Sequence, residues 1–194
     1  MIRVALMVDT RSLGCAVKRQ TGGAMRIDYG ALLCLAERGV RRALHAEKMA
    51  WQEERCLVFV AAYLGPSQNS RQNGLVISLR DMGYTVKICE NTLAGHSKSN
   101  TDLIMLGDAH ALIYSNKVDV LVLATADSDF YLALQTARIL GVQVELVSVE
   151  GQVVREFTEM ADHYADCRQA GLLRSRSAVS ADAGAACSAA GSGF

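Results

Sequence analysis

The fold class is decided by residues 118–130, which read Val118-Asp119-Val120-Leu121-Val122-Leu123-Ala124-Thr125-Ala126-Asp127-Ser128-Asp129-Phe130. A run of β-branched and aliphatic residues ends here in two carboxylates, Asp127 and Asp129. Such a run, bounded by polar residues, is typical of a strand buried on both faces of a parallel sheet. Because α/β proteins place their ligand sites at the carboxyl ends of strands, we expect both aspartates at the rim of a crevice. Two carboxylates so close together repel each other, which favours a compensating cation or hydrogen-bond network.

Further apolar runs alternate with helix-like segments along the chain. Strands are predicted at 2–9, 56–63, 118–125 and 142–149, with a weaker fifth at 84–89. Helical spacing predicts helices at 29–48, 71–82, 102–114, 130–140 and 152–160, and 162–166 is expected to form a short last strand or extended segment. This alternation predicts an α/β fold in which a mostly parallel sheet carries helices on both faces.

The composition predicts a single domain followed by a tail. The chain has 194 residues, of which 51% are hydrophobic, and this is enough to bury a full core. Beyond Cys167 the sequence becomes polar and basic and then consists almost entirely of Ala, Gly and Ser. We therefore expect a domain at 1–167 and a flexible tail at 168–194. The apolar surplus also leaves room for a homodimer interface.

Charge, cysteine content and hydropathy limit the class of protein. Twenty Lys and Arg balance twenty Asp and Glu, so any binding of nucleic acid must come from local patches. The six cysteines lack the C-x-x-C spacing of zinc sites and show no disulfide framework. The N-terminal apolar run is too short for a secretory signal, and no segment reaches the roughly 20 apolar residues that span a bilayer. We expect a cytoplasmic protein with no membrane association.

Two further aspartates extend the acidic pair into a candidate metal site. Asp9 ends the first predicted strand, and Asp102 lies in the first turn of a predicted helix. Taken singly, Asp9, Asp102 or Asp129 could simply cap a helix or turn. Four carboxylates from three separate segments are better explained by a hard cation, Mg²⁺ or Mn²⁺ and not zinc. Such clusters usually support the attack of a metal-activated water on a phosphodiester.

Other polar residues are candidates for supporting this site. Ser12, Thr125 and Ser128 could hold the carboxylates or a water, or could satisfy backbone groups at strand ends. Asp108 lies about 120° from Asp102 around an ideal helix, so we expect it to have a supporting or structural role. A phosphodiester substrate also requires cationic and polar groups near the acids, although solvated loops often carry such residues too. The candidates are Arg11, Lys18, Arg19, Arg26, His96 and Lys98.

The order of the motifs resembles a known family. The motifs are Asp9, Ile27-Asp28-Tyr29, Tyr63-Leu64-Gly65, the run 79–86, Asp102 with Asp108, the run 118–130 and Gly141-Val142-Gln143-Val144. Over most of residues 1–167 they resemble the NYN-domain (LabA-like) branch of the PIN-like nucleases. The resemblance implies a three-layer α/β/α sandwich with a mostly parallel PIN-like sheet of about five or six strands. It also implies a metal-dependent ribonuclease whose metal-binding and catalytic set is Asp9, Asp102, Asp127 and Asp129.

The chain departs from the family pattern beside the predicted site. Ser12 stands where the family typically has an Asn, and Lys98 lies one position from the expected Lys. These changes bear more on catalytic rate than on metal binding. The leading hypothesis is a Mg²⁺- or Mn²⁺-dependent endoribonuclease acting on single-stranded RNA. The alternative is a PIN-like RNA- or protein-binding regulatory module with little or no catalysis.

Other metal-dependent phosphotransferases of doubly wound type fit the sequence less well. Haloacid-dehalogenase-like enzymes place an Asp-x-Asp after the first strand, where this chain has Asp9-Thr10-Arg11. A Toprim-like site would use a Glu on its first strand. The acidic pattern therefore favours the nuclease hypothesis over these two classes.

Overall fold

A computed structural model describes residues 1–40, 54–66, 70–89 and 100–176. Its strands are β1 (Ile2–Asp9), β2 (Met25–Ile27), β3 (Arg55–Leu64), β4 (Thr85–Ile88), β5 (Val120–Ala124), β6 (Gln143–Ser148), β7 (His163–Asp166) and β8 (Leu173–Ser175). Its helices are α1 (Thr10–Thr21), α2 (Tyr29–Arg38), α3 (Ser70–Asp81), α4 (Thr101–Tyr114), α5 (Tyr131–Ile139) and α6 (Arg155–Glu159). A 3₁₀ turn, Ser128–Phe130, joins β5 to α5.

Six strands form one parallel sheet in the order β4-β3-β1-β5-β6-β7. Strands β1 and β5 lie at its centre, and their residues are buried from Val4 to Val8 and from Val120 to Ala124. This explains the continuous apolar runs in the sequence, because a central parallel strand is covered on both faces. The parallel register also brings the carboxyl ends of β1 and β5 to the same edge.

Helices cover both faces of this sheet. One face packs on α1, α2 and α3 through Leu13, Leu32 and Leu79. The other packs on α4, α5 and α6, where Met105 and Phe157 are fully buried. The predicted α/β fold is therefore confirmed as a three-layer α/β/α sandwich around a six-stranded parallel sheet.

Helix α1 is not among the helices that the sequence pattern predicts. The side chain of Asp9 caps its first turn, and Gly22 ends it in the left-handed conformation with φ of 60°. Between them, Leu13, Ala16 and Val17 are buried at helical spacing. The apolar stripe is narrow and is interrupted by polar residues, which explains why this segment reads as a polar turn.

The packed domain continues beyond the expected boundary at Cys167. Leu172 is buried, and its carbonyl accepts a hydrogen bond from the backbone N–H of Asp28 at 2.9 Å. Strand β8 then pairs antiparallel with β2, and Arg174 forms an ion pair with Asp28 at 2.7 Å. Residues 168–176 therefore belong to the fold, although their basic composition reads as tail. The rest of the expected tail, 177–194, lies outside the described residues.

Two predicted helices differ in length from the observed ones. Helix α2 ends at Arg38, whereas the predicted helix extends to residue 48, and 41–48 lie outside the described residues. Gly39, which follows α2, has φ of 89°, a conformation that favours glycine and ends the helix. The last predicted helix, 152–160, is shortened to α6. In the parts of the chain that the structure describes, no helix is long and apolar enough to cross a membrane.

Candidate active site

Asp9 lies at the carboxyl end of β1 and is only 2% exposed. Its Oδ1 accepts hydrogen bonds from the backbone N–H groups of Arg11 and Ser12, each at 3.1 Å. Its Oδ2 accepts one from the Thr125 hydroxyl at 3.2 Å. The capping role considered for Asp9 is thus present, and it fixes the orientation of a buried carboxylate at the sheet edge.

A chain of hydroxyl groups joins Asp9 to the end of β5. The backbone N–H of Ala126 donates to Ser12 Oγ at 3.1 Å, and Ser12 Oγ lies 2.9 Å from Thr125 Oγ1. Because the Thr125 hydroxyl proton goes to Asp9, Ser12 must be the donor in the contact between the two hydroxyls. Ser12 therefore contributes to orienting Asp9 through Thr125.

Asp127 and Asp129 follow β5 in the 3₁₀ turn. Asp127 is half-buried, and its Oδ1 accepts a hydrogen bond from the backbone N–H of Asp129 at 3.0 Å. The side chain of Asp129 is exposed and does not cap α5, whose N-cap residue is Phe130. Ser128 is exposed and forms no side-chain hydrogen bond with the described residues. The turn therefore presents two carboxylates at the edge, one fixed by backbone and one open to solvent.

Asp102, in the first turn of α4, completes the acidic group. Burial of its carboxyl raises the pKa of Asp102, and the negative charges of Asp9, Asp127 and Asp129 raise this pKa further. The Arg11 guanidinium acts in the opposite direction and lowers the pKa. The structure thus brings the four predicted aspartates into one electrostatic neighbourhood, although they come from three separate segments.

The chemistry of this acidic group suits a divalent cation, but its carboxylates lie further apart than the ligands of one bound metal ion. All the donors are carboxylate oxygens, as Mg²⁺ and Mn²⁺ prefer, and a cation would relieve the repulsion that acts on Asp102. Within the ranges that the structure describes, however, no three His, Cys, Asp or Glu side chains lie close enough to hold a metal ion. Metal binding by these aspartates stays a prediction.

The predicted basic residues are not all near the acids. Arg11 is exposed in the first turn of α1, close enough to Asp102 to affect its pKa. Lys18 and Arg19 are exposed in the last turn, about 10–12 Å further along the helix axis at 1.5 Å per residue. Arg11 is therefore brought to the site, whereas Lys18 and Arg19 are not. His96 and Lys98 lie outside the described residues.

Asp108 belongs to a second cluster, which lies one strand beyond Asp9. Its carboxylate accepts hydrogen bonds from the Tyr63 hydroxyl and from Lys87 Nζ. The Lys87 ammonium also lies 5.7 Å from the centres of the Tyr63 and Phe59 rings. Burial and the bond to Asp108 raise the pKa of the Tyr63 phenol. Asp108 thus takes part in a side-chain network that joins α4 to β3 and β4, and its expected supporting or structural role at the site stays a prediction.

Sequence reasoning missed Lys87 as a cation at the carboxyl edge. In the sheet register, Asp9 lies opposite Tyr63 and Tyr63 lies opposite Lys87. The position of Lys87 near the end of a predicted strand is the sequence feature that could have identified it. Its proximity to the edge depends on the pairing of β3 with β4, which the sequence alone does not specify.

The comparisons with known proteins identify the family. The model of the NYN domain matches residues 3–172, nearly the whole of the described domain. The chain belongs to the NYN domain family. Its membership associates it with nuclease-like, RNA-related functions. The match extends past Cys167, in agreement with the packing of Leu172.

A solved structure shares the fold of this NYN domain. It is the crystal structure of VPA0982, a protein of unknown function from Vibrio parahaemolyticus. The two chains superpose with a TM-score of 0.69 at 19% sequence identity, over 85% of this chain and 92% of the other. At that identity the likeness shows the fold alone. None of the curated proteins compared with the chain matches it.

Proposed function

We propose that this NYN domain protein is a metal-dependent endoribonuclease that hydrolyses the phosphodiester bonds of single-stranded RNA. The observation that carries the proposal is that Asp9, Asp127 and Asp129 lie close enough to Asp102, at one edge of the sheet, for their charges to raise its pKa. These four residues would hold Mg²⁺ or Mn²⁺. When bound, such a cation lowers the pKa of a water molecule and offsets negative charge on the phosphate.

Each acidic residue would have a different role at the site, set by its surroundings. Asp9 is buried and fixed by three hydrogen bonds, so it provides a rigid position at the base of the site. Asp127 is fixed by the turn, whereas Asp129 is exposed and can adjust to substrate. Asp102 is held by α4 and provides a half-buried carboxylate whose charge is disfavoured by burial and by the other three acids.

Substrate binding would depend on local basic groups, because the net charge of the chain is zero. Arg11 is close enough to Asp102 to lower its pKa and is suited to contact a phosphate beside the scissile bond. His96 and Lys98 stay candidates for the same role, and Lys18 and Arg19 could contact RNA further along α1. A flexible single strand reaches the buried edge more readily than a stiff duplex, which favours single-stranded RNA.

The proposal also places the protein in the cytoplasm, where RNA is available and thiols are reduced. The five cysteines in the described part of the chain are all free. The described cysteines therefore form no disulfide that would require an oxidising compartment. The domain from residue 1 to 176 would carry the activity.

The test is cleavage of a fluorescently labelled, unstructured RNA oligonucleotide by the purified full chain. We expect cleavage with added Mn²⁺ or Mg²⁺ and none with EDTA. Asp127→Asn should reduce the rate by about 100-fold or more, because one carboxylate of the acidic group is lost. Asp81→Asn is the matched control, since Asp81 is exposed at the end of α3 on the opposite face and should leave the rate unchanged.

Equal rates for Asp127→Asn and the parent would show that the activity comes from elsewhere. Circular dichroism of the variant separates a loss of catalysis from a loss of folding, because Asp127 also fixes the 3₁₀ turn.

A second candidate function is binding of RNA or protein without turnover. It is favoured by the spacing of the carboxylates, which in the described residues does not form a ready ligand shell. It is also favoured by Ser12 at the family's usual Asn position. In this case fluorescence anisotropy would detect RNA binding that depends on Arg11, whereas no metal ion would induce cleavage.

A further inference from the structure

The outer surface of helix α4 is apolar along its length, and the outer surface of α5 carries two large apolar residues beside the exposed Gln135 and Arg138. The two helices pack side by side on the sheet, and the Thr136 hydroxyl of α5 lies 3.4 Å from His110 Nε2 of α4. Facing away from the sheet are Leu103, Gly107, Ala111 and Tyr114 on α4, with Leu132 and Ile139 on α5. We refer to these six residues as the α4–α5 outer face.

The large side chains of this face are mainly in solvent. Leu103 and Tyr114 are 70% and 68% exposed, and Leu132 and Ile139 are 55% and 76% exposed. Their spacing of eleven residues on α4 and seven on α5 places each pair on one stripe of its helix. A helix whose outer stripe faces water normally carries charged or polar residues there. This face therefore resembles a surface that is buried against a binding partner.

The outer stripe of α4 also lacks charge. The helix sequence contains two charged residues, Asp102 and Asp108. Asp108 is turned toward the sheet, where it binds Tyr63 and Lys87, and Asp102 belongs to the acidic edge. A partner of α4 would consequently need no complementary charge.

The size of the face is close to that of a protein interface. The four large side chains are each more than half exposed, and an apolar patch of this kind covers about 300–600 Å². This matches the largest apolar patches of monomeric proteins, which are often binding sites. It also provides the apolar centre of a standard interface, in which each partner buries about 800 Å² including a polar rim.

We infer that the α4–α5 outer face is a homodimer interface that binds the same face of a second copy of this chain. The α4 stripe is self-complementary, with a large residue at each end and Gly107 and Ala111 in the middle. In an antiparallel arrangement about a two-fold axis, Leu103 of one copy lies against the partner's Tyr114. The small central residues allow the two α4 backbones to approach closely, and the missing charge removes repulsion between identical surfaces.

This interface would border the candidate active site. Leu103 directly follows Asp102, and Leu132 follows the turn that presents Asp127 and Asp129. Packing against a second copy would therefore hold the two helices next to three of the four acids.

The test is the mass of the full chain in solution, measured by sedimentation velocity or light scattering at tens of micromolar protein. We expect twice the monomer mass of 20.9 kDa. Ile139→Glu and Tyr114→Glu should each weaken dimerisation by about 10-fold or more, because each places an unpaired charge in a buried apolar contact. Ile77→Glu is the matched control, since Ile77 is 60% exposed on α3, on the opposite face of the sheet.

A monomeric parent chain in that concentration range would overturn the inference, whatever the variants do. If Ile139→Glu and Tyr114→Glu form dimers as stable as those of the Ile77→Glu control, the copies associate through another surface. Circular dichroism confirms that each variant is folded.

Discussion

Asp102 is a carboxylate held among like charges. Burial raises its pKa above the ordinary 3.8, and Asp9, Asp127 and Asp129 raise it further. A folded-state pKa above the unfolded value means that the native state binds more protons than the unfolded chain in the interval between the two values. Stability due to this residue is thus present at low pH and is lost as the pH rises through that interval.

Asp102→Asn should therefore stabilise the metal-free protein at neutral pH. The substitution removes the disfavoured charge at nearly constant shape, and we expect Tm to rise by about 1–3 °C. Thermal unfolding followed by circular dichroism in EDTA, at pH values from 3 to 7, measures the effect. The gain should be largest at pH 7 and should disappear below the ordinary pKa of an aspartate.

Asp81→Asn, at an exposed position on α3, controls for the general effect of removing one negative charge. A Tm gain equal to that of this control would mean that Asp102 is not destabilised by its neighbours. Asp102→Asn should also abolish the proposed activity, so for this substitution stability and function would change in opposite directions.

Among single residues, the acids were predictable and their partners were not. Asp9 and Asp127 could be placed because apolar runs predict strand ends, and parallel strands bring those ends to one edge. The link from Ser12 to Asp9 through Thr125 depends on hydroxyl orientations, and that between Lys87 and Asp108 depends on strand pairing. Sequence periodicity specifies neither.

At the scale of elements, Arg3 and Asp119 join the start of β1 to the segment before β5. Arg3 Nη2 donates to Asp119 Oδ1 at 2.7 Å and Arg3 Nε donates to Oδ2 at 3.0 Å. The backbone N–H of Arg3 also donates to Oδ2 at 2.7 Å, and Arg3 Nη1 donates to the Asn116 carbonyl. These bonds lower the pKa of Asp119 to about 2. A two-pronged contact of this kind fixes the register of two central strands.

Asp119→Asn should destabilise the protein at neutral pH and have little effect near pH 2. Because the folded-state pKa is lowered, the stabilisation is present above the ordinary value of 3.8 and is lost as the pH falls toward 2. Since the pair is partly exposed, we expect a decrease of about 2–4 °C in Tm at pH 7. Thermal unfolding at both pH values measures it.

Glu159→Gln, in the exposed pair of Arg155 and Glu159 on α6, is the control and should change Tm much less. A decrease of equal size at pH 2 and pH 7 would contradict a role for the Asp119 charge.

Elements with strong periodicity were predictable, and short ones were not. The strands near 2–9, 56–63, 118–125 and 142–149 follow from their apolar runs, and α4 and α5 follow from helical spacing. Strands β2 and β8 have three residues each, which is too few to show a pattern, and their partners are far apart in the chain. They exist because the fold brings them together.

At the scale of the whole molecule, a buried ion pair connects opposite halves of the sheet. Arg55 at the start of β3 binds Glu145 of β6 through two bonds of 2.9 and 3.0 Å, across β1 and β5. Their side chains are 8% and 2% exposed. The backbone N–H of Val40 also donates to Glu145 at 3.2 Å, which ties the residues after α2 to the pair.

Glu145→Gln should destabilise the protein strongly, because it leaves the Arg55 charge buried without its counter-ion. Losing one partner of a buried pair costs about 3–5 kcal/mol, so we expect a decrease of that order in the free energy of unfolding. Urea unfolding at pH 7 measures it. The double variant Arg55→Met with Glu145→Leu should recover much of the loss, since it removes both charges.

A free energy of unfolding for Glu145→Gln within 1 kcal/mol of the parent would show that the pair does not stabilise the fold. The alternation of strands and helices predicted the layered architecture, but not this pair. Residues 55 and 145 are polar positions in otherwise apolar strands, and only the packed sheet shows that they meet.

The pairing of β2 with β8 also has a consequence for how the chain is made. Strand β2 leaves the ribosome early, whereas its partner is among the last described residues to emerge. The described domain must therefore be translated as far as Arg174 before Asp28 can form its ion pair and donate to the Leu172 carbonyl. A nascent chain stalled before that point has its central strands but lacks the pairing of β2 with β8, so this pairing is the last step in completing the described domain.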